Sequence, residues 1–286
     1  MWATPCDPRE YGCADAPDID VLVLIAGFPD SHAMWERQLD ALGEKFYVLS
    51  LVTPDFTSLQ PSSKWGYTEE EVVTLIRHAI DDAIGPERPF KLLTHDWGSV
   101  WGYALAKALP KRCERFASID VGAHATEGVA ETDGGLVWIA LYQLSFAAIF
   151  WIGVRLSATL AQFLAALFWR LAPLIGPLGL RFDFVKSMPR PRSEVKWWMA
   201  WPYFQTWHSI LCRRGQGAPA LAFPAMPHFF AYGADKPRCH FHSQSFLQRM
   251  ARTDGNVVRA YACSHWVMWE CAAELNEDLL AFFTAA

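Results

Sequence analysis

Over its first 120 residues the chain alternates continuous apolar runs with segments of helical spacing. Val21 to Ala26 is apolar at every position, the pattern of a strand buried on both faces of a parallel sheet. It stops at the glycine/proline turn Gly27-Phe-Pro-Asp-Ser31, and His32 to Leu42 reads as a helix. Phe46 to Val52 is the next apolar run. Thr68 with Glu71 three residues on forms a capping box that opens a helix to about Ile84. Phe90 to Leu93 is a third run. It climbs into the small-residue turn Thr94-His-Asp-Trp-Gly-Ser99, beyond which Val100, Tyr103, Ala104, Ala106 and Leu109 recur at helical spacing. Phe116 to Val121 is a fourth strand. Strands alternating with helices in this way predict an α/β sandwich with a mostly parallel sheet. The polar, Pro/Asp-rich residues 1–18 read as a loosely structured lead-in.

The alternation breaks at about residue 129. From there to about 222 the chain is apolar and helical. Strand signals return at His228–Tyr232, followed by a helix over Ser243–Arg252, a strand over Asn256–Ala262 and a helix from about Ala272 to Ala285. This predicts a sheet domain in two parts, 19–128 and 223–286, with a helical cap inserted at 129–222. Leu136 to Val154 carries no charge and is long enough to span a bilayer; Leu156 to Trp169 is again apolar. Three environments fit such a run: a buried cap helix, a cap resting on a membrane surface, or a span. A tyrosine of the run, Tyr142, favours a cap that faces a pocket.

With 286 residues, 52% hydrophobic and 14% aromatic, the chain can bury a large core, and its net charge of −5 gives no reason to expect nucleic-acid binding. The seven cysteines are scattered and odd in number. With no signal peptide evident, reduced thiols in an intracellular protein, cytoplasmic or peripherally bound to a membrane, are expected. Cys239-His-Phe-His242 lacks a second ligand pair and reads as a polar patch, not as a metal site.

Asp96 gives the chain its chemistry. A strand that turns sharply into a helix lifts the apex side chain out of the sheet and sets it at the helix N-terminus, where negative charge is favoured. That is the geometry of a nucleophile elbow, usually G-x-S-x-G, here with aspartate at the apex and Thr94 in the first glycine's place. An aspartate there can also be a plain N-cap. A carboxylate that attacks carbon forms an ester, and a histidine base is needed to hydrolyse it. His265 follows the last strand. Asp235, just past the preceding strand, is the expected acid behind it, with Asp120 the alternative. The backbone N–H groups of Phe28 and Trp97 are placed to hold an oxyanion.

These residues together resemble the α/β-hydrolases of the epoxide hydrolase and haloalkane dehalogenase branch. Gly27-Phe-Pro-Asp-Ser31, His95-Asp-Trp-Gly98, Tyr232-Gly-Ala-Asp235 and Ser264-His-Trp266 with Glu270 carry the resemblance. Phe28 is similar to the epoxide hydrolases, since dehalogenases tend to carry asparagine there. The family's histidine before the turn glycine is Ala26 here. The resemblance implies two cap tyrosines that activate the ring oxygen, Tyr142 in a Tyr-Gln-Leu setting and Tyr203 late in the cap. It implies a small lipophilic epoxide as substrate and no metal or organic cofactor. The alternatives are a haloalkane dehalogenase with the same nucleophile, or a non-catalytic relative that binds a lipid or a partner at a membrane.

Overall fold

The computed structural model describes residues 5–12, 19–123, 135–171, 187–212, 223–236 and 240–285. Its centre is a seven-stranded sheet. The strands are β1 (Arg9–Tyr11), β2 (Val21–Ala26), β3 (Tyr47–Val52), β4 (Phe90–His95), β5 (Cys113–Ile119), β6 (His228–Gly233) and β7 (Val257–Tyr261), in the spatial order β1-β3-β2-β4-β5-β6-β7. All neighbours pair in parallel except β1, which runs antiparallel to β3. β2, β3 and β4 are buried at every position, which is why they read as uninterrupted apolar runs. The lead-in is more ordered than expected. Its three residues Arg9-Glu-Tyr11 form the edge strand, too short and too polar to leave a period in the sequence.

Helices α1 (Glu36–Leu42, entered through a 3-10 turn over His32–Trp35), α2 (Glu69–Ile84) and α3 (Trp97–Ala108) cover the first half of the sheet. The capping box at Thr68 and Glu71 closes in both directions. Strand order reverses between β2 and β4: β3 lies on one side of β2, and the chain then crosses over to place β4 on the other. Ligand crevices form beyond the carboxyl ends of strands at such a reversal. The Gly27 turn and Asp96 both fall there.

Between β5 and β6 run α4 (Gly135–Arg155), α5 (Ala158–Leu171), a short 3-10 stretch over Trp197–Ala200 and α6 (Trp201–Cys212). They lie inside the predicted insertion, whose ends at 129–134 and 213–222 fall outside the described residues. Among the described residues, no helix is long and apolar enough to cross a membrane. The inward side of α4 buries Phe146, Ala147, Ile149 and Phe150, and α5 buries Ala161, Ala165 and Trp169. Phe146 and Trp169 meet at 5.6 Å between ring centroids, and both rings reach Phe28 of the sheet domain. The outward sides are different. On α4, Val137, Leu141, Leu144 and Trp151 are exposed; on α5, Leu160, Phe163, Leu167 and Leu171 are exposed. The chain ends with α7 (Gln244–Arg252), capped by Ser243, and α8 (Ala272–Thr284).

Candidate active site

Asp96 sits at the β4–α3 junction with φ 53° and ψ −125°, a conformation aspartate rarely adopts. Two glycines let the elbow pack this tightly. A Cβ at Gly98 would stand 2.2 Å from the Ile25 carbonyl oxygen, so only glycine lets α3 start against β2. A Cβ at Gly27 would stand 2.5 Å from the His95 oxygen and 2.6 Å from the Trp97 nitrogen. With no side chain at Gly27, the next residue comes close enough for the Phe28 N–H to donate to Asp96 Oδ1 at 2.7 Å. The Trp97 N–H, at the start of α3, lies in the same small space. Of the two expected N–H donors, that of Phe28 is bonded to the carboxylate, and that of Trp97 follows it directly in the chain.

His265 lies beyond β7, with Nε2 3.6 Å from Asp96 Oδ2. Its Nδ1 donates to Asp120 Oδ2 at 2.5 Å. The acid behind the histidine is therefore Asp120, and the expectation for Asp235 is corrected. Asp120 directly follows β5, the neighbour of the elbow strand, and φ 69° turns its fully buried side chain inward. Asp235 is exposed; its backbone N–H bonds the Cys263 carbonyl at 3.0 Å and ties the loop down with the side chain outside.

A third group completes the pair. The Lys236 ammonium binds Asp120 Oδ1 directly, and the Gly233 N–H reaches the same oxygen at 3.3 Å. Burial alone would raise the Asp120 pKa, but Lys236 and His265 outweigh it and hold the carboxyl well below its ordinary range. Burial alone would lower that of His265; the Asp120 and Asp96 carboxylates outweigh it and lift the imidazole to about 9. His95, packed at 4.4 Å between ring centroids, is driven down to about 3 by burial and by the charge on His265, so it is neutral and donates from Nε2 to the His265 carbonyl at 3.1 Å.

Lys236 and Asp30 are the residues that sequence reasoning missed. Asp30, fully buried in the Gly27 turn, accepts from Trp266 Nε1 at 2.7 Å, and burial raises it to about 6 despite that bond. Both had a signal in the sequence: Asp30 is a charged residue inside the Gly27 turn already singled out, and Lys236 directly follows Asp235. The cap is fastened to this turn by Arg190. It donates to the carbonyls of Pro29 at 2.8 Å, Asp30 at 3.2 Å and Phe56 at 2.8 Å.

Above the carboxylate is an aromatic roof. Tyr203, on α6 and 4% exposed, meets Phe28 at 5.0 Å and Trp97 at 5.3 Å, both edge-on. Tyr142, on α4, packs edge-on against Tyr203 at 5.9 Å. Of the two cap tyrosines, far apart in sequence, Tyr203 packs on residues flanking the elbow, and Tyr142 packs on Tyr203. Glu270 stands behind the histidine loop, accepting from the Ser264 N–H at 3.0 Å. Among the described residues no group of His, Cys, Asp or Glu is arranged to hold a metal; Cys239 lies outside them.

A parallel sheet, a strained carboxylate elbow, and a histidine and a buried acid delivered from later strand ends define a hydrolase-type catalytic scaffold. The chain belongs to the alpha/beta hydrolase family, whose profile matches residues 22–278. Among curated relatives it is 31% identical to the "probable oxidoreductase EphD" of Mycobacterium tuberculosis over 112 residues, 36% of this chain and 18% of that one. It is also 31% identical to "epoxide hydrolase B" of the same organism over 120 residues, 40% of this chain and 33% of that one. The match thus spans a third or less of either relative's length. Over nearly the whole chain the fold is that of solved α/β-hydrolases. A Bacillus megaterium epoxide hydrolase superposes with a TM-score of 0.69 at 17% identity, covering 98% of this chain and 97% of the other. An enol-lactonase from Burkholderia xenovorans superposes with 0.64 at 16% identity, covering 97% and 96%. By family and by fold the protein is an α/β-hydrolase. Its reaction has to be argued from its own site, because one fold serves several chemistries.

Proposed function

We propose that this chain hydrolyses a small lipophilic epoxide to a diol through an ester on Asp96. One observation supports this above others. The elbow carboxylate is held on one oxygen by the Phe28 N–H and faced on the other by His265, under a roof containing two tyrosines. An aspartate nucleophile suits attack on saturated carbon, and tyrosine hydroxyls suit an oxygen that gains negative charge.

Asp96 Oδ2, the oxygen not held by Phe28, attacks the less hindered ring carbon. The ring C–O bond breaks, and the departing oxygen takes a proton from Tyr203 or Tyr142. Esterification removes the negative charge on Asp96 that helped to keep His265 protonated, so the imidazole pKa falls, its Nε2 proton passes to solvent, and it can act as a base; it regains that proton from solvent once the Asp96 carboxylate is restored. His265 then takes a proton from water, and the hydroxide attacks the ester carbon. The negative charge collects on Oδ1, where the Phe28 and Trp97 N–H groups stabilise it. The intermediate collapses by breaking the bond from Cγ to Oδ2. Oδ2 leaves in the diol with the proton held by His265, and the new Asp96 carboxyl returns its proton to the tyrosinate. Asp120 keeps His265 in the required tautomer throughout. The aromatic roof favours a lipophilic ring substituent. No step uses a metal or an organic cofactor.

The test is mass spectrometry of His265→Gln mixed with a panel of lipophilic epoxides. The variant can form the ester but cannot activate water, so Asp96 should gain the mass of the epoxide. An unmodified Asp96 across the panel, with diol still formed by the unaltered protein, rules out the ester route.

A further inference from the structure

The large exposed apolar side chains of this protein are gathered on the cap. Among the described residues, eleven large hydrophobic side chains stand exposed, and ten of them lie on α4, α5, α6 or the Leu156 turn between α4 and α5. The eleventh, Leu59, lines a groove of about 840 Å³ together with Phe163 of α5, so it extends the same face. On α4 the exposed residues follow each other at intervals of four, three and seven; on α5 at three, four and four. Each set is a stripe along one side of its helix. The opposite sides of both helices meet at the Phe28, Phe146 and Trp169 cluster, so the two stripes turn outward together. They form one apolar face with the hairpin tip at Leu156, which is 67% exposed. A patch of this kind marks an interaction surface.

Charge distinguishes between occupants. The chain carries 25 basic and 30 acidic residues. The described cap residues, 135–171 and 187–212, carry five basic residues (Arg155, Arg170, Arg190, Arg192 and Lys196) and a single acidic one, Glu194. On α4 and α5 the only charged side chains are Arg155 at the tip, exposed although its guanidinium also lies 5.5 Å over the Trp65 ring, and the exposed Arg170 near the other end. A second copy of the chain would bring the same cations to the interface and offer no acid from these helices. An anionic lipid surface offers acyl chains to the stripes and phosphates to the arginines. We infer that the α4–α5 face docks flat on an anionic membrane, with the apolar stripes entering the headgroup boundary and Arg155 and Arg170 at the phosphates. This is peripheral contact and stands apart from the reaction at Asp96.

Flotation with vesicles tests it, using phosphatidylcholine mixed with phosphatidylglycerol against phosphatidylcholine alone. The unaltered protein should float with the mixed vesicles and much less with the neutral ones. Leu160→Ser combined with Phe163→Ser, both at exposed positions, should weaken flotation by at least about tenfold while the circular dichroism spectrum is unchanged. Arg155→Gln combined with Arg170→Gln should weaken it by about tenfold on mixed vesicles only. The inference is overturned if the protein floats with neither vesicle, or if Leu160→Ser with Phe163→Ser floats as well as the unaltered protein. It is equally overturned if the protein is a dimer that this apolar variant turns into a monomer without any vesicle binding.

Discussion

The sheet and the cap use apolar residues in opposite ways. β2, β3 and β4 bury every side chain, and the polar groups at their ends are held by named partners. α4 is apolar around its whole circumference but buries one side. A helix of that kind needs a second apolar neighbour. The sheet is complete within the chain, whereas the cap is half complete: its inner side roofs the site and its outer side is exposed. Position in the fold, more than hydrophobicity, therefore decides what an apolar residue of this protein contributes.

Three measurements would break or sharpen that contrast. The largest effect is expected at the sheet edge. Asp120→Asn should cut kcat by about 10³–10⁴-fold, since the histidine loses the charge that fixes its tautomer, while Asp235→Asn should leave kcat within about twofold. Equal losses would return the acid role to Asp235. Next comes a comparison within one helix. Phe150→Ala removes a buried ring packed on Trp197 and Phe204 and should cost about 3–5 kcal/mol of stability. Leu141→Ser, on the exposed side of the same helix, should change stability by no more than about 0.5 kcal/mol in denaturant unfolding. If the two cost the same, the outer side of α4 is covered by protein.

The smallest effect is electrostatic. Lys236→Met removes the cation from Asp120 and leaves that carboxylate's field on His265 less opposed. The His265 pKa should then rise, and the ascending limb of the pH–kcat profile should move to higher pH by about one unit. The other charged or titratable groups facing this pair among the described residues are Asp96, Asp30, His95, His240, His242 and Cys263, and all remain in the variant. A limb that stays in place or moves to lower pH would show that Lys236 does not tune the base.

Much of this could be read in advance, for a physical reason. A strand buried on both faces has to be apolar throughout, and an elbow has to have small residues where α3 meets β2, so both leave a mark in the sequence. The choice between Asp120 and Asp235 leaves none. Each follows a strand by one or two residues, and what separates them is a backbone turn that aims one side chain inward and the other out. The edge strand β1 was equally silent, because three polar residues held by β3 have no period of their own. The cap helices could be placed, but not their outward stripes. In an all-apolar helix the buried side cannot be told from the free one until the neighbours are known.

Arg190 has a mechanical consequence. Its guanidinium joins a cap side chain to three carbonyls of the sheet domain, two of them in the turn that carries the Phe28 N–H. Hydrogen bonds from a charged donor are each worth about 1.5–3 kcal/mol, so this corner is the costliest place to part the two layers. If the cap swings to admit substrate, Arg190 is its expected pivot, and the turn that carries the Phe28 N–H would keep its place beside Asp96 as the cap moves.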